Sequence, residues 1–130
     1  MDISPSKVAF VILRARELGV KVGRWDRSND DADADTILEA RGSDETGREL
    51  SSFIRNLNDD EKAALVAIMW IGRDTFDDYD EAFETAKAEA VGPTERYLMG
   101  IPLLGDYLED GLETLGVDTS EIEDELYRKV

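Results

Sequence analysis

The chain has 130 residues, with 31 Asp plus Glu against 15 Lys plus Arg, and it contains no histidine or cysteine. The missing imidazoles and thiols exclude cysteine nucleophiles, disulfides, zinc fingers and iron–sulfur sites, as well as the ordinary proton shuttle near neutral pH. A formal charge of −16 repels phosphate backbones and anionic lipids, so we expect no direct binding to nucleic acid and none to membrane surfaces.

The first predicted element is a helix over residues 5–18. Ser4 and Pro5 form an N-cap followed by proline at the first helical position, and apolar residues then recur at helical spacing. Gly19 is the predicted stop. The β-branched cluster within Val8 to Ile12 leaves a buried strand open as the alternative.

This first segment is also the one basic stretch of the chain. Residues 1–25 carry five basic residues against two acidic ones, whereas residues 26–49, 73–91 and 92–130 are each acidic overall. We predict that the basic segment docks against acidic neighbours of its own fold and so reduces their mutual repulsion.

The next stretch, at about 20–44, is predicted to be an acidic loop that is mobile in part. Asp31, Asp33 and Asp35 alternate like the opening ligands of an EF-hand calcium loop. The rest of that pattern fails, because a threonine holds the sixth position where the loop needs glycine and a glycine holds the twelfth where it needs glutamate. Weak attraction of calcium or magnesium remains open beside a purely solvated loop.

Two helices are predicted in the middle of the chain. From about Asp44, apolar residues return at helical spacing. Asn58 then has the character of an N-cap, with acids behind it that a helix N-terminus favours. The segment from Ala63 to Ile71 is apolar on every face, so residues 60–72 are predicted to form a central helix buried on all sides. Gly72 either ends that helix or lets a neighbour approach closely.

Further helical pieces are predicted towards the end of the chain. A helix with one apolar stripe starts near Asp78 and stops before Gly92, and Thr94 to Met99 forms a short piece because Pro102 interrupts the run. An amphipathic helix over residues 104–115 follows. Gly116 fits the C′ position of that helix, and a last helix begins at Asp118 or Ser120.

We find no sustained period-two pattern, which favours an all-α fold. The expected architecture is a compact bundle of about five to six helices around the central apolar helix at residues 60–72. The length predicts a single domain spanning residues 1–130. The apolar runs are shorter than the about 20 residues that cross a bilayer, and the first one lacks the cleavage site of a signal peptide, so we expect a cytoplasmic protein.

Four short stretches carry a family resemblance: ELSSFI at residues 49–54, LNDDE at 57–61, WIGR at 70–73 and YLMGIPLLGDYLE at 97–109. Together they resemble a family of small bacterial proteins, seen chiefly in alphaproteobacteria, that is known only as a domain of unknown function. The likeness covers roughly residues 49–116. It implies a bacterial source, and it brings no activity, cofactor or catalytic residue.

Paired carboxylates are the main candidate for chemistry. Glu81 and Glu84 lie one helical turn apart, and such pairs can hold magnesium and activate water without histidine. All-α nucleotide pyrophosphatases resembling the MazG type use an E-x-x-E pair followed by an E-x-x-D pair, a pattern that Glu121 and Asp124 supply here. The spacing is too long, however, and no cluster of Lys or Arg stands nearby to hold a triphosphate. The competing interpretation is that these acids complement a helix dipole.

Four residues are candidates for binding a partner. Arg96, Tyr97 and Tyr107 surround the Pro102 break, where they form either a polar pocket or a partner groove. The alternative is that the tyrosines bury their rings and leave the hydroxyls in water. Trp70 is predicted to be a core anchor, unless an exposed apolar strip on the central helix marks a subunit interface.

Three functions are compatible with these patterns. The leading hypothesis is a non-enzymatic protein–protein interaction or regulatory module, with no cofactor and with a homodimer as one possible assembly. The second is a magnesium-dependent hydrolase of nucleotides that acts through the paired carboxylates. The third is an acidic mimic of DNA that occupies a basic groove on another protein.

Overall fold

The computed structural model of the protein describes residues 2–25, 45–89 and 93–117, with the side chains of residues 19–25 left out. These ranges contain six α-helices and no β-strand, which confirms the predicted all-α bundle. The helices are α1 (Pro5–Trp25), α2 (Glu45–Arg55), α3 (Asp59–Gly72), α4 (Tyr79–Glu89), α5 (Thr94–Met99) and α6 (Leu104–Thr114). None of the helices in the described ranges is long and apolar enough to cross a membrane.

The first helix is longer than its sequence predicts. α1 continues through Gly19 to Trp25, so the predicted stop at Gly19 is wrong, and so is the alternative of a strand within Val8 to Ile12. A glycine inside a helix costs about 1 kcal/mol relative to alanine without breaking the hydrogen-bond ladder. The predicted loop at about 20–44 is therefore helical up to residue 25. The rest of it, and the predicted helix after Gly116, lie outside the described residues.

α3 is the centre of the bundle, as its apolar sequence predicts. Every residue from Ala63 to Ile71 is buried. A capping box opens the helix: the Asn58 side chain accepts from the Glu61 backbone N–H at 2.8 Å, and the Glu61 carboxylate accepts from the Asn58 N–H at 3.1 Å. α3 packs mainly against α6 and α4, while α1 packs against α6 and α2.

Two glycines bring the backbones of α3 and α6 into direct contact. A Cβ atom on Gly72 would lie 1.7 Å from the backbone oxygen of Tyr107, and one on Gly111 would lie 2.1 Å from the backbone oxygen of Ile68. Both interpretations of Gly72 are thus correct, because it is the last residue of α3 and also the point of closest approach. Gly116, with φ of 80°, occupies the C′ position behind α6 as predicted.

The basic first segment docks on acidic neighbours, as its charge predicts. Within the described side chains, Lys7 pairs with Glu61 of α3, and Arg14 pairs with Glu17 in its own helix and with Glu49 of α2. Arg16 reaches two carboxylates of α6, Asp106 at 3.2 Å and Glu109. Beneath these pairs lies an apolar stripe of fully buried side chains from α1: Val8, Val11, Ile12 and Leu18.

Candidate functional site

A groove of about 510 Å³ lies where four helix ends meet: the C-terminal ends of α2 and α4 and the N-terminal ends of α3 and α5. This volume falls within the range of about 300–1,000 Å³ that is usual for ligand sites in proteins. The groove is a property of the assembled bundle, since no single helix supplies more than a part of its lining.

The floor of the groove is apolar and made of short side chains. Ala63 and Val66 come from α3, Ala86 comes from α4, and Pro93 closes the end before α5. The two alanines and the valine are nearly inaccessible, at 7%, 5% and 2% exposure respectively for Ala63, Ala86 and Val66. Because an alanine side chain ends at Cβ, the longer side chains around it stand higher and form a rim.

Three cationic side chains surround this floor, and they differ in their hydrogen-bond and ion-pair partners. Lys87 pairs with Asp60 at 3.1 Å and lies 5.4 Å from the centre of the Phe83 ring. The hydrogen bond to Asp60 is the main reason why the pKa of the Lys87 ammonium is raised. Arg55 donates from Nη2 to the Ser52 hydroxyl at 3.1 Å.

Lys62 completes the cationic part of the lining. In the described part of the chain, neither Lys62 nor Arg55 has a carboxylate partner. Within the described ranges, two positive groups of a strongly acidic protein thus lie at one place without an ion-pair partner.

Two carboxylates also line the groove, and both belong to first helical turns. Asp59 lies in the first turn of α3 and Glu95 in the first turn of α5. The positive end of a helix dipole partly offsets such charges. Because Asp60 pairs with Lys87, the remaining cations Arg55 and Lys62 are matched in number by Asp59 and Glu95, so the charges of the groove nearly balance on a chain whose formal charge is −16.

The structure places Trp70 in the core, at 6% exposure. Its indole N–H donates to the Tyr97 hydroxyl at 3.0 Å, and its ring centre lies 5.4 Å from that of Phe76. The alternative of an exposed apolar strip on α3 is wrong, because Ala63 to Ile71 are buried. Trp70 follows Val66 by one helical turn, so this hydrogen-bonded pair extends the face of α3 that forms the groove floor.

The other two partner-binding candidates lie apart from that pair. Arg96 is exposed on α5, and Tyr107 is half-buried on α6 with its backbone oxygen against Gly72. Asp106, beside Tyr107, pairs with Arg16 of α1. The residues around Pro102 thus have different neighbours, and a role in partner binding for Arg96 and Tyr107 stays a prediction.

Of the carboxylates predicted as candidate metal ligands, only Glu81 and Glu84 lie within the described residues. Glu81 and Glu84 are exposed on α4, and the Glu81 backbone N–H donates to the Asp78 carboxylate at 3.3 Å, so Asp78 caps the helix at the predicted start. Within the described ranges, no group of three or more Asp or Glu side chains is placed to hold a metal ion.

The remaining acidic candidates lie outside the described residues. They are Asp31, Asp33 and Asp35 in the predicted loop, and Glu121 and Asp124 near the end of the chain. Metal binding at these positions stays a prediction, and so does a hydrolase that would join them to Glu81 and Glu84.

No sequence pattern predicted that the groove residues form a site. Asp59, Lys62, Ala63 and Val66 recur at intervals of three and four, a signal that places them on one face of α3. The rest of the lining comes from Arg55 at the end of α2 and from residues 86–95 of α4 and α5, and helical spacing within α3 carries no information about that meeting.

A family model matches the central segment of the chain. The model of the family described as Protein of unknown function (DUF3775) matches residues 47–117. This chain belongs to that family. The match agrees with the predicted likeness over residues 49–116 and contains every groove residue, whereas α1 lies before it. No curated protein and no solved structure matches the chain.

Proposed function

We propose that this DUF3775 protein is a non-enzymatic interaction module of the bacterial cytoplasm, and that it binds a protein partner through the groove at the meeting of α2, α3, α4 and α5. The observation that carries this proposal is a groove of about 510 Å³ whose rim holds two cations, Arg55 and Lys62, that have no carboxylate partner in the described chain.

The two parts of the groove suit recognition of a polypeptide. The floor residues are themselves almost fully buried, so a partner's contacts with the groove are made mainly with the longer side chains of the rim. Charged groups at the rim fix the orientation of the partner and exclude unsuitable ones. The groove contains threonine, carboxylates, guanidinium and ammonium groups, and the chain has no imidazole or thiol to activate a nucleophile.

The size of the groove sets the scale of the interaction. A stable interface buries about 800 Å² on each partner, more than a groove of this volume provides alone. We therefore expect a short segment of the partner to enter the groove while its flanking residues rest on the surrounding helix ends.

Site-specific photo-crosslinking in cells tests the proposal. A photoreactive amino acid replaces Glu95 in the groove in one variant, and in a matched variant it replaces the next residue, Arg96, which does not line the groove. We expect a discrete crosslinked protein band from position 95 that is absent from position 96. The band from position 95 should disappear when Lys62→Glu is added.

Two results would contradict the proposal. Equal crosslinking from positions 95 and 96 would show that the groove has no special role, and the absence of any protein crosslink from position 95 would show that no protein enters it. Light scattering identifies one partner directly: a dimer that dissociates in the Lys62→Glu variant would show that a second copy of this chain fills the groove.

A further inference from the structure

We infer that residues 118–130 fold back along α6 and cover its outward face. This surface is separate from the groove, because no described residue of α6 lines the groove. The inference therefore goes beyond the proposed function, and it names a segment of the chain itself as the occupant of the face.

The outward face of α6 is the side that its two main neighbours, α3 and α1, leave open. Leu103, Tyr107, Asp110 and Thr114 recur at intervals of four, three and four, so they lie on this one side of the helix. Tyr107 is half-buried, and the other three are exposed. Among the described residues, Leu103 is the one large hydrophobic side chain that is exposed, at 51%. The face thus has apolar surface that a further element can cover.

The turn behind α6 sends the chain back beside that helix. The Val117 N–H donates to the Leu112 backbone oxygen at 2.8 Å and Gly116 has φ of 80°, as in a Schellman motif. The predicted last helix begins at Asp118 or Ser120, so the connection has the length, about 2–5 residues, that joins two antiparallel helices. Since α3 and α1 occupy two sides of α6, the returning segment has the outward face left to it.

The sequence of residues 118–130 supplies an apolar stripe for this face. Ile122, Leu126 and Val130 recur at every fourth residue, which is typical of one side of a helix. The other long segment outside the described ranges, residues 26–44, has large apolar side chains only at Ile37 and Leu38. The stripe therefore favours residues 118–130 as the occupant.

The register of the two segments brings their apolar residues together. In an antiparallel pair, residues equally far from the turn lie at the same level. Counted from the turn between residues 116 and 117, Leu126 lies as far behind it as Tyr107 lies ahead of it, and Val130 mirrors Leu103 in the same way. Val130 is thus placed against Leu103, the side chain with the most apolar surface to cover.

The charges give this register a signature of its own. Arg128 and Lys129 come level with the start of α6, where the Asp106 side chain is 58% exposed. Glu123, in contrast, mirrors Asp110, and two carboxylates at one level repel each other. Neutralising Asp110 should therefore strengthen the contact.

Cysteine pairs test the inference on the full chain, which has no cysteine of its own. The test pair is Leu103→Cys with Val130→Cys, because a disulfide forms only when two Cβ atoms come within about 4 Å. The register control pairs Leu103→Cys with Ser120→Cys, and a second control pairs it with Leu38→Cys. Under mild oxidation, non-reducing electrophoresis should show the intramolecular disulfide forming at least tenfold faster in the test pair than in either control.

Labelling of the single variant Leu103→Cys with a maleimide gives the second half of the test. Adding Leu126→Asp should raise the labelling rate at least fivefold, while the matched control Ser120→Asp should change it less than twofold. Adding Asp110→Asn should lower the rate. Circular dichroism of each variant verifies that the helices are retained.

Three outcomes would overturn the inference. Faster closure of the pair with Leu38→Cys would assign the face to residues 26–44, and rapid disulfide-linked dimers of the single variant Leu103→Cys would assign it to a second copy of this chain. Equal rates in all three pairs, or a labelling rate that ignores Leu126→Asp, would show that residues 118–130 leave the face open. Crosslinking from position 95 is measured separately, so the proposed function can stand when this inference fails.

Discussion

α6 packs against α3 through direct backbone contact and against α1 mainly through side chains. Against α3, its backbone touches backbone at Gly72 and Gly111, so nothing larger than hydrogen fits. Against α1, side chains fill the space: a Cβ on Gly105 would meet the flexible Arg16 side chain at 2.9 Å and the Ile12 backbone at 3.1 Å. The first contact is fixed by geometry, whereas the second rests on apolar burial and adjustable ion pairs.

The α3–α6 contact lies inside the segment that matches the family, whereas α1 lies outside that segment. Both glycines of the α3–α6 contact lie within residues 47–117, while α1 precedes them and still contributes fully buried side chains to the same core. The match to the family therefore does not mark the boundary of the folded unit. A contact set by side chains tolerates more substitutions, because volume and charge are easier to satisfy than exact backbone contact.

Removal of α1 should have the largest effect on the protein. A chain that begins at residue 45 loses the stripe of Val8, Val11, Ile12 and Leu18, each fully buried in the intact fold. Burial of one such side chain is worth about 1.5–3 kcal/mol, and a whole domain is stable by about 5–15 kcal/mol. We expect the shortened chain to show no cooperative unfolding in urea when followed by circular dichroism. A sigmoidal transition would show that α1 is an accessory to the fold.

The second largest effect is expected at the α3–α6 contact. Gly72→Ala would gain about 1 kcal/mol from helix propensity in an open site. Here the added Cβ would lie 1.7 Å from the Tyr107 oxygen. Since overpacking costs about 1–3 kcal/mol or more, we expect a net loss of about 2 kcal/mol in the free energy of unfolding, measured by urea titration.

Gly116→Ala is the matched control for that substitution. Gly116 has φ of 80° and no heavy atom within 4 Å of the added Cβ in the described structure. Only the left-handed backbone opposes the change, at about 1 kcal/mol. If Gly72→Ala proved more stable than the wild type, α3 and α6 would have to lie further apart than the structure shows.

The ion pairs of α1 should contribute less than either of these contacts. Arg16 and its partners Asp106 and Glu109 are partly exposed, at 38%, 58% and 41% of their side-chain surface. Solvent screens such pairs, so Arg16→Gln should lower the free energy of unfolding by about 1 kcal/mol or less. The loss should vanish near 1 M salt, where the Debye length is about 3 Å.

Arg96→Gln is the control for the ion-pair measurement, because Arg96 makes no ion pair with any described residue. It should leave the unfolding free energy unchanged at every salt concentration. A loss at Arg16 that persists in high salt would mean that packing of the Arg16 stem, rather than charge, holds α1 to α6.

The smallest effect is expected at the contact between Asp2, three residues before the start of α1, and Tyr79, the first residue of α4. The Tyr79 hydroxyl donates to the Asp2 carboxylate at 2.9 Å, and burial, together with the nearby negative charges of Asp2 and Asp80, raises the pKa of Tyr79 to about 12. The protonated phenol is favoured in the folded state. Its contribution to stability is therefore complete below the ordinary pKa of 10 and is lost as the pH rises towards 12.

This contribution is isolated by measuring the free energy of unfolding of the wild type and of Tyr79→Phe between about pH 9 and about pH 12. The wild type should lose more stability than the variant over that interval. Parallel curves would show that the Tyr79 hydroxyl titrates alike in the folded and unfolded chains.

Local rules predicted those features that neighbouring residues decide. Asn58 and Glu61 lie three residues apart and form the capping box within one turn, and Pro102 interrupts the helix as its ring geometry requires. The same type of rule was wrong at Gly19, where the residues on both sides continue the helix. A glycine lowers helix stability by about 1 kcal/mol, which the rest of a long helix outweighs.

The sequence by itself determined the all-α class, the central position of α3 and most helix ends, because apolar spacing and capping act over a few residues. Only the tertiary structure decided that Gly72 meets the backbone of Tyr107, that Trp70 donates to Tyr97, and that Arg55 and Lys62 share a groove. Gly72 is far from Tyr107 along the chain, and Trp70 is far from Tyr97, while Arg55 and Lys62 are close in sequence but belong to different helices. Their meeting depends on how whole helices pack against one another, which the pattern within any single helix does not specify.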